Sequence, residues 1–302
     1  MRPQPLTAPT SGRYPTKPMF IIDARTRLCG LIGNPVEHSL SPAVHNAAFR
    51  DAGLNYVYLA FKVEDLEGAV RGIRALTSIR GISVTIPHKL AVLPYLDKVV
   101  PTAKNIGAVN TIASDNGVLT GHNTDASGAL EALRAANALP EGGRFLLLGS
   151  GGAARAIGFA LCMDAKISSL TILAVLEDER AALVRDLREK TSVAVAGFQL
   201  TPETLRTHIP DSQVLIHCTP VGMSPQSEET CVPRELLAPP LIVMDVVYNP
   251  LETRLLAEAR QAGCRTIRGI EMFLHQAIGQ FELWTGRPAP EQVMRAVLEG
   301  HK

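Results

Sequence analysis

The chain has almost no surplus of charge, few cysteines, and no apolar run long enough to cross a membrane. Lys plus Arg number 30 against Asp plus Glu 29 over 302 residues. No global field therefore draws the chain toward nucleic acid or an anionic membrane, and an anionic ligand must be met by local groups. The five cysteines (Cys29, Cys162, Cys218, Cys231, Cys264) are scattered without a CxxC or Cys/His cluster. That spacing excludes a zinc site or a disulfide framework and leads us to expect no metal, reduced thiols and a cytoplasmic protein. Apolar stretches such as Ile167 to Leu176 fall short of the roughly 18 to 20 residues that span a bilayer. What the sequence does have is 46% hydrophobic residues, enough for a sizeable core, and a length that predicts two domains. Met1 to Pro18 holds Pro3, Pro5, Pro9, Pro15 and Pro18 and reads as a mobile tail.

From Arg27 onward, short apolar segments alternate with helical ones. Strands are expected at Arg27 to Gly33, Tyr56 to Phe61 and Gly81 to Ile86. The helices between and after them run Ser41 to Gly53, Glu64 to Leu76 and Pro87 to Leu96, with Pro87 as the first helical residue. Asn110 to Ala113 and Val118 to Gly121 flank Asp115-Asn116-Gly117, a hairpin signal. The alternation implies a parallel sheet. Asp125 to Ala138 reads as helix and Arg144 to Leu148 as a strand running into glycines. Beyond lie strands at Ser169 to Val175, Val193 to Ala196, Gln213 to His217 and Leu241 to Val247, with helices at Glu179 to Lys190 and Thr253 to Ala262. This is a doubly wound nucleotide-binding pattern. Helices at Met272 to Thr285 and Glu291 to Glu299 close the chain.

Gly149-Ser150-Gly151-Gly152-Ala153-Ala154 fits G-x-G-x-x-[GA] between a strand and a helix. Gly149 permits the tight turn, Gly151 lets backbone amides approach a pyrophosphate, and Ala154 allows close helix packing. The ribose-reading position at the end of the next strand holds Ala174 and Val175, followed by Leu176, Glu177 and Asp178. No arginine stands there to hold a 2′-phosphate, so NAD is expected, with NADP as the alternative. The two acids serve equally as a solvated helix start. In the first half, Ser39 and Ser41 stand two residues apart on one loop, where they can face a ligand or cap the helix. Capping alone explains Ser41 and leaves Ser39 idle. Lys89 lies just past a strand end, Asn110 follows Gly107-Ala108-Val109, and Asp125 opens a helix. Taken singly these are a surface lysine, a turn and an N-cap.

Together they resemble the shikimate and quinate dehydrogenases. The likeness rests on Gly33-Asn34-Pro35 with Ser39-Leu40-Ser41-Pro42, on Val84-Thr85-Ile86-Pro87-His88-Lys89, on Gly107 through Thr111 and on Gly121-His122-Asn123-Thr124-Asp125. The glycine loop, Asp245 through Pro250, and Gly269 through Gln276 continue it. The resemblance implies a three-layer α/β substrate domain over residues 19–125, completed by residues 270–302, and a Rossmann domain over residues 126–269. A late helix would cross back so that Gln276 reaches the substrate, and the two domains would be hinged about one cleft. It implies Lys89 and Asp125 as the catalytic pair, Ser39 and Ser41 on the substrate carboxylate, and Thr85, Asn110, Asp125 and Gln276 on ring hydroxyls. Tyr248 would lie near nicotinamide and substrate, and Gly269 beside the cofactor.

Three departures stand out. Ser83 replaces the family's usual Asn, His88 replaces an aromatic at a position that reads as surface, and Ala174-Val175-Leu176 replaces the Asn-Arg-Thr of NADP-preferring members. The expected activity is oxidation of a shikimate-like hydroxy acid. A quinate-preferring enzyme and a non-catalytic ligand sensor are the competing readings, and retention of Lys89 and Asp125 speaks against the sensor. The expected partner is a small molecule, and the oligomeric state a monomer or homodimer.

Overall fold

A computed structural model describes residues 22–300; the expected tail over residues 1–18 lies outside them. The first half runs β1 (Arg27–Gly33), α1 (Ser41–Asp51), β2 (Tyr56–Lys62), α2 (Leu66–Ala75), β3 (Ile79–Val84), α3 (His88–Ala91), β4 (Lys98–Val99), α4 (Pro101–Ile106), β5 (Thr111–Asp115) and β6 (Val118–His122). These strands form a six-stranded sheet in the order β2-β1-β3-β5-β6-β4. Strands β1, β2 and β3 are parallel as expected, but β5 runs antiparallel to both β3 and β6. The reason is local: Asn116 and Gly117 hold φ of 49° and 84°, a two-residue turn that can only reverse the chain, whereas parallel neighbours need a long crossover.

Alternation along the strands divides two cores. Ile32 and Ile82 face Val70 and Ile73 of α2, while Cys29, Leu31 and Tyr58 face Val44 and Phe49 of α1. The sheet is thus the middle of three layers.

The second half runs α5 (Thr124–Ala135), β7 (Arg144–Leu148), α6 (Gly152–Asp164), β8 (Ser169–Ala174), α7 (Glu177–Lys190), β9 (Ala194–Gln199), α8 (Pro202–His208), β10 (Val214–His217), β11 (Ile242–Asp245), α9 (Arg254–Gln261) and β12 (Arg265–Ile267). All six strands are parallel, ordered β12-β11-β10-β7-β8-β9. Counted from β7, this is the order of a Rossmann sheet, with its switch point between β7 and β10. Two helices finish the chain, α10 (Gly269–Thr285) and α11 (Glu291–Glu299).

Helix α10 joins the two sheets. It starts where Gly269 presses on the Val246–Val247 backbone and continues past α5, where a Cβ on Gly128 would come within 2.8 Å of the Gln276 amide nitrogen. It ends under the first sheet, where the Trp284 indole donates to Ile112 O at 3.1 Å. Some local expectations fail. Pro87 stands before α3 rather than inside it, and the expected helix to Leu96 breaks into α3 and a 3-10 turn over Leu93–Tyr95, because Pro94 supplies no amide hydrogen to continue the ladder. The short elements β4, α4, α8 and β12 carry too few periodic positions to register in the sequence.

At the ends of β10 and β11, His217 and Asp245 face each other across the ladder. His217 Nδ1 donates to Asp245 Oδ1 at 2.9 Å, and Thr253 Oγ1 donates to Asp245 Oδ2 at 2.6 Å. Burial opposes charge on the imidazole, but the hydrogen bond to Asp245 and the Asp245 charge outweigh it and push the pKa up to about 10.

Two outcomes follow from this packing. In Gly81→Ala the new methyl would meet the Trp284 ring at 2.0 Å. Such overpacking costs about 1 to 3 kcal/mol, read as a lower denaturant midpoint at unchanged slope. The His217 imidazolium contributes stability that is fully present below the unfolded value of 6.5 and is lost as pH rises through about 10. The gap in unfolding free energy between wild type and His217→Gln should narrow across that window, and a flat gap would mean that the folded imidazole is neutral.

Candidate active site

The C-terminal ends of β1 and β3 and the first turn of α5 converge on one polar cluster. Lys89 Nζ donates to Asp125 Oδ2 at 2.5 Å, with the two side chains 16% and 8% exposed. The other carboxylate oxygen, Oδ1, accepts from Asn110 Nδ2 at 2.9 Å. Asn110 also accepts, at Oδ1, from the Thr124 amide at 2.7 Å and the Thr111 hydroxyl at 2.8 Å. Asp125 can open α5 because the capping duty falls to Asn123, whose side chain accepts from the Ala126 amide. Its own carboxylate is therefore free for Lys89, and the N-cap reading of Asp125 is set aside. Lys89 likewise is not the surface lysine of the local reading.

The other expected residues surround this pair. Thr85 lies over Gly33 at the end of β1, where a Cβ would meet its methyl at 2.2 Å. Gln276 is buried on α10 against Gly128, one turn along α5 from Asp125, and its Nε2 donates to Phe273 O at 3.0 Å. Tyr248 packs on Phe273 with ring centroids 4.8 Å apart; burial and the nearby Asp125 charge both raise its pKa. Ser39 Oγ accepts from the Ser41 amide at 3.2 Å, so Ser39 is not idle, and Ser41 lies buried as the first residue of α1. His88 is buried, contrary to the surface reading, and pairs with Val63 O at 2.9 Å through Nε2.

The glycine loop faces this cluster. Gly149 has φ of +112°, a turn that a side chain would strain, and no atom lies within 4 Å of a Cβ built on Gly151. Helix α6 begins without a side-chain cap, so its first amides and its dipole are open to an anion. Ala153 is half-buried and Ala154 buried, the latter letting α6 pack on the sheet. Ser150 Oγ donates to Glu179 Oε2 at 3.2 Å, tying the loop to α7. A Cβ on Gly152 would stand 3.2 Å from Lys89 Cδ, so the lysine stem and the anion cradle touch across the cleft. These residues fit a dinucleotide.

Glu177 and Asp178 are exposed in the first turn of α7, where their charge suits the helix dipole. Two cationic residues escape the sequence reading. Arg180 turns back so that Nη1 donates to Ala174 O at 2.8 Å, placing a cation at the strand end thought to lack one. Arg155, directly after Ala154, is buried and donates from Nε to Ile106 O at 2.8 Å and from Nη2 to Asp186 at 2.6 Å. Lys190 donates to the neighbouring Asn105 O at 2.9 Å. An arginine at the first buried turn of a helix is the signal that could have marked Arg155. Among the described residues no group of three or more His, Cys, Asp or Glu could hold a metal ion, and no helix is long and apolar enough to cross a membrane.

Comparison with known proteins agrees with this geometry. Residues 31–112 match the shikimate dehydrogenase substrate binding domain, and residues 269–299 match the shikimate 5'-dehydrogenase C-terminal domain. The shikimate dehydrogenase (NADP(+)) of Moorella thermoacetica is 47% identical over 283 residues, which cover 93% of this chain and 95% of that one. That of Methanopyrus kandleri is also 47% identical over 283 residues, with coverage of 92% and 97%. The crystal structure of the Listeria monocytogenes shikimate 5-dehydrogenase, in complex with shikimate and NAD, is 41% identical with a TM-score of 0.84 and coverage of 92% and 98%. With such identity sustained over nearly the whole chain, in the same two-sheet architecture, this protein belongs to the shikimate dehydrogenase family.

Proposed function

We propose that this protein interconverts shikimate and 3-dehydroshikimate with a nicotinamide dinucleotide. The observation that carries the reading is the Lys89–Asp125 hydrogen bond of 2.5 Å, held from behind by Asn110 and set against the open glycine loop. The substrate half is residues 19–125 with residues 270–302, and the dinucleotide half residues 126–269. Gly149 through Ala154 would hold the pyrophosphate, with Gly269 packed beside the cleft, and the nicotinamide would supply the hydride acceptor or donor. The chain's own residues handle the proton. In oxidation an uncharged Lys89 takes the proton of the reacting hydroxyl, and in reduction its ammonium returns one to the forming alkoxide. Asp125 orients the lysine, and the positive Lys89 stabilises alkoxide charge as it develops. Ser39 and Ser41 hold the carboxylate; Thr85, Asn110, Asp125 and Gln276 take the ring hydroxyls, with Tyr248 alongside.

The finer cofactor reading is a preference for NAD. Val175 and Leu176 are 65% and 58% exposed at the end of β8, so that strand end offers an apolar surface, and the carboxylates of Glu177 and Asp178 would repel a 2′-phosphate. Arg180 is the counterweight: Nη1 donates to the Ala174 carbonyl, its charge and other donors stay at the strand end, and the NAD reading requires that they not reach the phosphate. A missing charge-assisted arginine contact forfeits roughly 1.5 to 3 kcal/mol, about tenfold or more in affinity. Steady-state kinetics should therefore give kcat/KM higher by about that factor with NAD; equal or better values with NADP would reject the preference.

The chemistry itself is tested at the lysine. Lys89→Met should lower kcat by a factor on the order of 100 to 10,000, the range of a lost general acid or base, with little change in KM. Near-normal turnover would overturn the mechanism. Wild-type protein that binds shikimate but never turns it over would be a sensor instead.

A further inference from the structure

Beneath the Lys89–Asp125 pair lies a second layer of buried polar side chains that the proposed reaction does not use. Gln280 is at its centre, one turn beyond Gln276 on α10 and 2% exposed. The Tyr58 hydroxyl donates to Ser83 Oγ at 2.6 Å, and Ser83 donates in turn to Gln280 Oε1 at 2.9 Å. At the other end of the same carboxamide, Gln280 Nε2 donates to Thr111 Oγ1 at 3.0 Å. Thr111 passes its proton toward Asn110 Oδ1 at 2.8 Å, and Asn110 Nδ2 donates to Asp125 Oδ1 at 2.9 Å. The chain is continuous and every donor points toward the carboxylate.

This polarity is forced. A carboxamide has one accepting end and one donating end. Asp125 can only accept, so Asn110 turns its NH2 group to it and its oxygen to the Thr124 amide and Thr111; the Thr111 proton is thereby committed, and its lone pair takes the Gln280 NH2 group. His45 adds to the same direction: Nε2 lies 3.3 Å from Gln280 Oε1, and Nδ1 has no partner among the described residues. Burial lowers the pKa of His45 to about 4, and in the neutral ring the tautomer with its proton on Nε2 is the one that matches an accepting Gln280 oxygen. Reversing either amide would set oxygen against oxygen in a dry site, where an unmade hydrogen bond is most costly.

Position 83 offers the other route by which an amide could reach Thr111. Ser83 is the direct cross-strand partner of Thr111. An asparagine at 83 could deliver an amide donor to Thr111 from β3. The shorter serine cannot, and the donor arrives from α10 instead.

We propose that Gln280 is a positioning residue for the dehydrogenase reaction: its amide N–H, acting through Thr111 and Asn110, holds Asp125 as the oriented acceptor that Lys89 requires, in the role an asparagine at position 83 would fill. The inference rests on the dehydrogenase reading above. Its test is steady-state kinetics per folded protein, with shikimate and dinucleotide, on wild type, Gln280→Met, Gln280→Ala and Gln280→Ala combined with Ser83→Asn. Methionine keeps the volume of glutamine and removes the donor. Both single variants should lose about tenfold or more in kcat, the scale of a misplaced reacting group, with the dinucleotide KM unchanged, and the added asparagine should recover most of the loss. Wild-type kcat in Gln280→Met, a loss that merely follows the folded fraction, or a combined variant no better than Gln280→Ala would each overturn it. Absent turnover in the wild type would instead overturn the dehydrogenase reading itself, and this inference with it.

Discussion

Helix α10 lies close to α5 because neither Gly128 of α5 nor Gly279 of α10 puts a side chain into the contact. A Cβ on Gly128 would strike the Gln276 backbone at 2.8 Å, and one on Gly279 would meet the Thr124 methyl at 3.3 Å. Much of the rest depends on that approach. The first turn of α5 carries Asp125, the facing turn of α10 carries Gln276, and the far end of α10 buries Trp284 and Phe281 in the core of the first sheet. Were the two helices a side chain further apart, Gln280 would not reach Thr111, and α10 would lose its packing on α5.

The polar groups collected at this seam are held for function more than for stability. Removing Lys89 and Asp125 from water costs free energy that their attraction only partly offsets. Asn110, Thr111, Thr124 and Asp125 satisfy one another, which avoids the roughly 1 to 3 kcal/mol cost of each unmade buried hydrogen bond. The return is an environment whose dipoles are set before substrate arrives, so little reorganisation is needed when charge develops. The His217–Asp245 pair does comparable work on the dinucleotide side, fixing the strand ends that carry the loops after β10 and β11.

Much of the fold was legible wherever hydrophobic period and turn chemistry agreed. Arg27–Gly33, Arg144–Leu148 and Glu291–Glu299 coincide with the observed elements, and Asn116-Gly117 announced its hairpin. The glycine loop was readable because each glycine has a local reason. The meeting of Lys89 with Asp125, 36 residues apart in sequence, was not. No spacing rule links a strand end to a distant helix start, and only the family likeness joined them. The serines show the limit of local reasoning: capping alone accounts for Ser41 and gives Ser39 no part, yet it is the Ser39 hydroxyl that accepts from the first amide of α1. Arg155, Arg180 and Gln280 were missed because a polar residue on a helix is ordinarily solvated, and their partners lie on other elements.

The anchoring of Ile106 by Arg155 bears on how the cleft can open. That arginine, with Lys190 beside it, grips the carbonyl end of α4 from the dinucleotide half, while the α5–α10 seam ties the halves together elsewhere. Two bodies fastened at two separate points keep a single rigid-body freedom, rotation about the line through both fastenings. A movement that kept both fastenings would turn the halves about that line, as the covers of a book move about the spine, and would not slide them past each other.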